Sequence, residues 1–183
     1  MFKEERDKNI FSWKDLGDIK AGRPNLGLNC TVLGYRLLQY TLRDELIKQF
    51  GVEKGREVFR NAGLKAGEEF CKNIIRPQLE FGDFMAELQQ KLKEHLVGIL
   101  KVERADMGSL SFQITVAEDL DCSGPPLSDE TICEYDEGFI AGLLEAYTGK
   151  AFDVKEVDCW ASGDRVCRFS AQLKKQGIPD GEG

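Results

Sequence analysis

Just after Leu96 the apolar residues of this chain change their spacing, and that change limits the possible fold more than any other feature. Upstream they recur every three or four residues, the period of a helix with one buried face. From Ile99 onward two segments alternate instead, as strands do when one side is covered. Helices in the first half, hairpins later and one more helix between them predict an α+β fold, with helices packed on an antiparallel sheet.

Four long helices are predicted. The first spans about 30–50, with Asn29 as its cap and Leu33, Leu37, Leu38, Leu42, Leu46 and Phe50 at helical spacing, and Gly51 stops it. The second runs from about Glu53 to Ile75, ahead of Pro77, on a stripe of Val58, Phe59, Ala62, Ala66, Phe70 and Ile74. Gly63 and Gly67 sit one turn apart within it. Glycine costs about 1 kcal/mol in a helix interior, so this pair points to close approach of another backbone or of a ligand, with packing the ordinary cause. The third covers about 81–96 through Phe84, Met85, Leu88, Leu92 and Leu96. His95, the lone histidine, reads as a solvated or capping residue at its end. Strands at 99–104 and 110–116 turn at Asp106-Met107-Gly108, and an acidic loop follows over 117–130. A fourth helix runs from Ser128 or Thr131 to Tyr147, and a last hairpin pairs 151–160 with 165–173 across Ser162-Gly163-Asp164. The organisation expected is an irregular arm over 1–28, a single domain over 29–173 and a polar tail over 174–183.

Composition excludes some classes of function. A net charge of −7 and a pI near 4.9 oppose nucleic-acid binding, which needs a basic footprint. No apolar run approaches the ~20 residues that span a bilayer, and Met1 to Lys14 has no apolar signal core, so no membrane insertion and a cytoplasmic location are expected. In that compartment six cysteines are thiols or metal ligands sooner than a disulfide framework.

The strongest chemical signal is C-x22-E-x2-C-x7-C, formed by Cys133, Glu156, Cys159 and Cys167. A hairpin centred on Gly163 sets Cys159 opposite Cys167, close enough for two thiolates to share an ion. Glu156 stands three residues before Cys159, so a regular strand would send them to opposite faces; Glu156 joins only if the strand bulges. Spacing alone leaves a metal site, a Cys159–Cys167 disulfide or redox pair, and buried inert thiols all open. Cys30 and Cys71 read as helical core residues, and Cys122, in the acidic loop, is an ambiguous extra donor. Glu134, Asp136, Glu137, Asp158 and Asp164 read as a solvated acidic face.

Cys133-Glu134-Tyr135-Asp136-Glu137-Gly138-Phe139-Ile140-Ala141-Gly142, then Gly149, Glu156-Val157-Asp158-Cys159, Gly163 and Cys167-Arg168-Phe169 resemble the 4-vinyl reductase domain family. The early segment around Trp13 to Gly27 resembles its stand-alone archaeal and bacterial hydrocarbon-binding members. The resemblance implies a fold like that of a TRAPP vesicle-tethering subunit, an apolar pocket between helices and sheet, and a homodimer. It also implies a zinc ion held by Cys133, Glu156, Cys159 and Cys167, by analogy with the phenol-sensing members. Four protein ligands leave no open position, so the zinc would be structural. Candidates for the pocket lining are Phe70, Phe84, Leu88, Phe112, Tyr135 and Phe139.

The leading expectation is therefore a hydrophobic or aromatic small-molecule binding protein with a structural zinc. An enzyme or accessory protein of tetrapyrrole or vinyl-group reduction is the alternative that the family name suggests. No G-x-G-x-x-G fingerprint follows a strand to support it. A protein–protein interaction scaffold is the third reading.

Overall fold

The computed structural model describes residues 11–128 and 130–174. The first ten residues of the expected arm and nearly all of the expected tail lie outside this range. The described part of the arm holds a 3-10 turn at Trp13–Leu16 and a short helix α1 (Ile19–Gly22).

Thr31, not Asn29, caps the first long helix. Its Oγ1 accepts the Gly34 N–H at 3.2 Å, and α2 (Val32–Phe50) begins there, two residues later than expected. Gly51 at φ +85° both ends α2 and opens α3 (Val52–Ile74), so the two pack as a helical hairpin. Next comes α4 (Phe81–Glu94), capped by the backbone of the exposed His95, and Leu96 at φ +59° reverses the chain into the sheet. The strands are β1 (Ile99–Asp106) and β2 (Ser111–Ala117), then β3 (Phe152–Asp158) and β4 (Cys167–Leu173). Between the two hairpins lies α5 (Glu134–Thr148), which starts later than the expected Ser128 or Thr131 because Cys133 is its N-cap.

The four strands form one antiparallel sheet in the order β1-β2-β4-β3. β2 and β4 are its centre, and their inward residues Phe112, Ile114, Val116, Cys167, Phe169 and Ala171 are all buried. Helices α4 and α5 supply the facing layer: Phe84 stacks on Tyr147 with centroids 4.1 Å apart, and Phe81 stacks on Phe112 at 5.2 Å.

α3 and α5 run side by side in the same direction, and glycines let their backbones touch. A Cβ on Gly63 would fall on the carbonyl oxygen of Tyr135, and one on Gly67 on that of Phe139. The fit is reciprocal, because a Cβ on Gly138 would fall on the Arg60 carbonyl and one on Gly142 on the Leu64 carbonyl. Of the two causes left open by the sequence, backbone approach is the one observed at Gly63 and Gly67.

α2 departs from expectation. The helix is where its periodicity puts it, yet none of its residues is buried. Leu33, Leu37 and Leu38 are 78%, 64% and 69% exposed, so the stripe faces away from this chain's core. No helix among the described residues is long and apolar enough to cross a membrane.

Candidate metal centre

The far end of the β3–β4 hairpin delivers two thiols: Cys159 follows β3 and Cys167 opens β4. The pairing shifts register between Glu156 and Asp158, so that Glu156 faces Phe169 and Asp158 faces Arg168, with Val157 as the extra residue. This is the bulge that the three-residue spacing requires. Val157 turns to solvent, and Glu156 and Cys159 fall on the same buried side. Cys133 comes from the N-cap of α5.

The structure brings all four predicted residues together and adds a fifth. Cys133 Sγ lies 3.8 Å from Cys159 Sγ and 3.8 Å from Cys167 Sγ. Cys122 Sγ lies 2.9 Å from Cys167 Sγ, 3.1 Å from Cys133 Sγ and 4.0 Å from Cys159 Sγ. All four sulfurs and a Glu156 oxygen lie within 4.8 Å of one another. No pair is bonded, since every one of these cysteines is a free thiol. Around a zinc ion with Zn–S of ~2.3 Å, tetrahedral sulfurs stand about 3.8 Å apart, so the donors fit such an ion.

The electrostatics agree. With no cation, hydrogen bonds from Cys122, Cys133 and Cys167 hold the Cys159 thiol far below its ordinary pKa, while Cys133, hydrogen-bonded to Cys122 and its neighbours, is held far above. Burial pushes Glu156 up to about 8. One group ionises at the expense of the rest, as expected where several anionic donors converge without a positive charge. Glu156 Oε2 accepts the Cys133 N–H at 3.2 Å, and its Oε1 is buried without a partner.

The acidic groups expected on a solvated face are in part the opposite. Glu134 and Glu137 are buried, because the first turn of α5 faces α2 and α3. Glu134 pairs with Arg43 at 3.0 Å and Arg56 at 2.9 Å. Glu137 takes both a 2.8 Å and a 2.7 Å bond from Arg60 and also accepts the Glu156 N–H at 3.0 Å. Arg56 and Arg60 stand one turn apart opposite Glu134 and Glu137, a spacing that could have revealed the pairing. Asp158 pairs with Arg168, and Asp164 alone stays exposed. Cys71 is core as expected, whereas Cys30 precedes α2 and is exposed.

Beside the cluster lies a cavity of about 160 Å³ lined by Tyr35, Phe70, Val97, Leu120, Asp121, Tyr135, Asp136 and Phe139. Three of the six candidate lining residues, Phe70, Tyr135 and Phe139, are in its wall. Phe84, Leu88 and Phe112 sit in the core between α4, α5 and the sheet and line none of the described cavities near the cluster. Sequence reasoning missed the acidic part of the wall. Asp121 accepts from Tyr35 Oη and from Gln39 Nε2, each at 2.7 Å. Asp136 Oδ2 is buried with no partner, and burial raises the Asp136 pKa strongly. Burial and the neighbouring Asp121 push Asp119, just behind, up to about 7.

Residues 112–173 match the model of the 4-vinyl reductase domain, and that stretch contains every donor of the cluster, Cys122 included. The chain belongs to the 4-vinyl reductase domain family. An uncharacterized protein of Methanocaldococcus jannaschii is 27% identical over 148 residues, 81% of each chain. The fold is similar to a crystal structure of a vinyl-4-reductase family protein from the same organism, with a TM-score of 0.59 at 19% identity, over 90% of this chain and 98% of that one. It is also similar to the phenol-responsive sensory domain of the transcription activator PoxR with phenol, with a TM-score of 0.61 at 17% identity, over 80% and 76% of the chains. A third likeness is to a trafficking protein particle complex subunit 3 from Naegleria fowleri covalently bound to palmitic acid, with a TM-score of 0.56 at 18% identity, over 79% and 98%. The vinyl-reductase and tethering-subunit folds expected from the sequence are thus the folds found.

Proposed function

We propose that this 4-vinyl reductase domain protein binds a small aromatic molecule in the cavity beside the cysteine cluster, and that a structural zinc ion braces the wall of that cavity. The observation that carries the reading is that cavity and cluster share their walls. Asp121 lines the cavity and its neighbour Cys122 faces the cluster; Tyr135 and Asp136 line it and follow Cys133. A cavity of about 150 Å³ with apolar walls accommodates a benzene ring, and this one has a similar volume. Its aromatic residues Phe70 and Phe139 meet edge to face with centroids 5.6 Å apart. The unpartnered Asp136 Oδ2 offers an acceptor to a ligand hydroxyl, because a buried polar atom gains most from a partner it lacks. The neighbour captured with phenol supports this choice of ligand class. The zinc, held by residues of the cysteine cluster, would supply a fixed charge and four bonds, leaving all recognition to side chains.

Phenol is the first probe. Titration calorimetry is expected to detect its binding to the parent protein, and Phe70→Trp, which fills the cavity, should weaken binding at least about tenfold with the fold unchanged by circular dichroism. That factor corresponds to about 1.4 kcal/mol. Equal binding by the variant, or none by the parent, would count against this ligand class.

We also propose that α2 pairs two copies of the chain. Leu33, Leu37 and Leu38 with Leu42 make a continuous exposed apolar face, larger than soluble monomers usually leave open. The adjoining groove of about 240 Å³ between α2 and α3 widens it. Analytical ultracentrifugation should show a dimer, and Leu37→Glu with Leu38→Glu a folded monomer. A monomeric parent protein at micromolar concentration would refute the pairing.

A further inference from the structure

We infer that Cys122, and not Glu156, completes the inner shell of the metal centre, so that this chain holds its ion with four thiolates: Cys122, Cys133, Cys159 and Cys167. The inference rests on the metal reading above and changes its ligand set. A closed tetrahedral site takes four donors, and the structure offers five. One must stand outside, and three observations decide which.

The first is distance. Cys122 Sγ is nearer to Cys167 and Cys133 than either is to the other, so it stands inside the group rather than at its edge. It is also fully buried. The second is anchoring. The segment that carries Cys122 is stitched down on both sides. Arg36 donates to the carbonyls of Leu120 at 2.7 Å and Asp119 at 3.2 Å, Tyr40 Oη donates to the Asp121 carbonyl at 2.7 Å, and the Leu120 N–H reaches the Val97 carbonyl at 2.9 Å. Tyr35 and Gln39 hold the Asp121 side chain. A loop with this many bonds presents its thiol at a set position without further ordering cost. The third is that Glu156 already has a task. Its Oε2 accepts the backbone N–H of Cys133, which places it behind a ligand, the usual station of an outer-shell carboxylate. Its free Oε1 is then the reserve donor.

The consequence is a mechanical link. Residues 119–122 are bonded to α2, they wall the aromatic cavity through Leu120 and Asp121, and through Cys122 they would be tied to the metal. An ion held by Cys133, Glu156, Cys159 and Cys167 would fasten α5 to the last hairpin only. An ion held by four thiolates fastens the cavity wall and, through it, the α2 face as well.

X-ray absorption at the zinc edge, on full-length protein kept reduced and loaded with zinc, separates the two shells. Four sulfur neighbours at about 2.3 Å and no oxygen or nitrogen are expected for the parent, with the same spectrum for Glu156→Gln. Cys122→Ser should replace one sulfur by one oxygen as Glu156 Oε1 enters. Three sulfurs and one oxygen in the parent, unchanged by Cys122→Ser and altered by Glu156→Gln, would overturn the inference and leave the metal reading standing. So would a Cys122–Cys167 disulfide found by mass spectrometry in protein that still binds one zinc. Failure of the reduced parent to bind zinc at all would instead defeat the metal reading, and this inference with it.

Discussion

Alanine at Gly63, Gly67, Gly138 or Gly142 is expected to lower the melting temperature by roughly 6–12 °C, the equivalent of about 3 kcal/mol in a chain of this length. Each new methyl would land on a main-chain carbonyl of the facing helix, and main chain, unlike a side chain, has no rotamer into which it can withdraw. The gain of about 1 kcal/mol in helix propensity does not offset this. α3 and α5 would have to separate, and α5 carries Cys133 at its N-cap, so the centre should loosen together with the helix pair. Gly63→Ala combined with Gly138→Ala should cost less than the sum, because both push the same turn apart. Gly82→Ala is the control: a Cβ there meets nothing within 4 Å, and stability should hold or rise slightly. Differential scanning calorimetry on the four variants and the control would decide it, and melting temperatures equal to the parent's would mean that the two helices are not in backbone contact.

Stripping the metal should have an effect at least as large. With free zinc at a thousand times the dissociation constant, binding adds about 4 kcal/mol to the folded state, or roughly 8–16 °C. A chelator added to reduced protein should therefore lower the melting temperature by that amount, and hydrogen exchange should accelerate first at the β3–β4 end and the start of α5. Cys159→Ser should reproduce the loss, and Cys30→Ser, at an exposed position, should not. The dependence on pH follows from the ligand chemistry. Thiols must lose their protons to bind metal, and Cys133 and Cys167 are held above the ordinary thiol range in the absence of a cation. Falling pH hands the protons back, so metal retention and the stability that comes with it should decline as the solution is acidified. A chelated protein that melts where the parent does would remove the structural role from the metal.

Much of this site was legible in one dimension. The spacing of Cys159 and Cys167 required a hairpin, and that of Glu156 and Cys159 required a bulge, which the register shift at Val157 provides. Gly63 and Gly67 announced a close neighbour without naming it; Gly138 and Gly142 one helix later completed the pair. Less legible were Glu134 and Glu137, whose charge suggested solvent. Their burial depends on Arg43, Arg56 and Arg60, which lie about 75–90 residues upstream, and no local pattern reports an ion pair across that distance.

The order of residues was enough for the α+β class, the helices and strands within a few residues, the donor set Cys133, Glu156, Cys159 and Cys167, and the need for close helix packing. These follow from chain geometry, because helical and strand periods and hairpin loops relate near neighbours through fixed rises and angles. Long-range packing was needed to turn the α2 leucines outward, to wall the cavity with Phe70, Tyr135 and Phe139 and not with Phe84, Leu88 or Phe112, and to bring Cys122 to the cluster. An apolar stripe has the same period whether it meets its own core or another surface. A loop residue has no period at all, and Cys122 is placed by bonds from Tyr35, Arg36, Gln39 and Tyr40, more than 80 residues away along the chain.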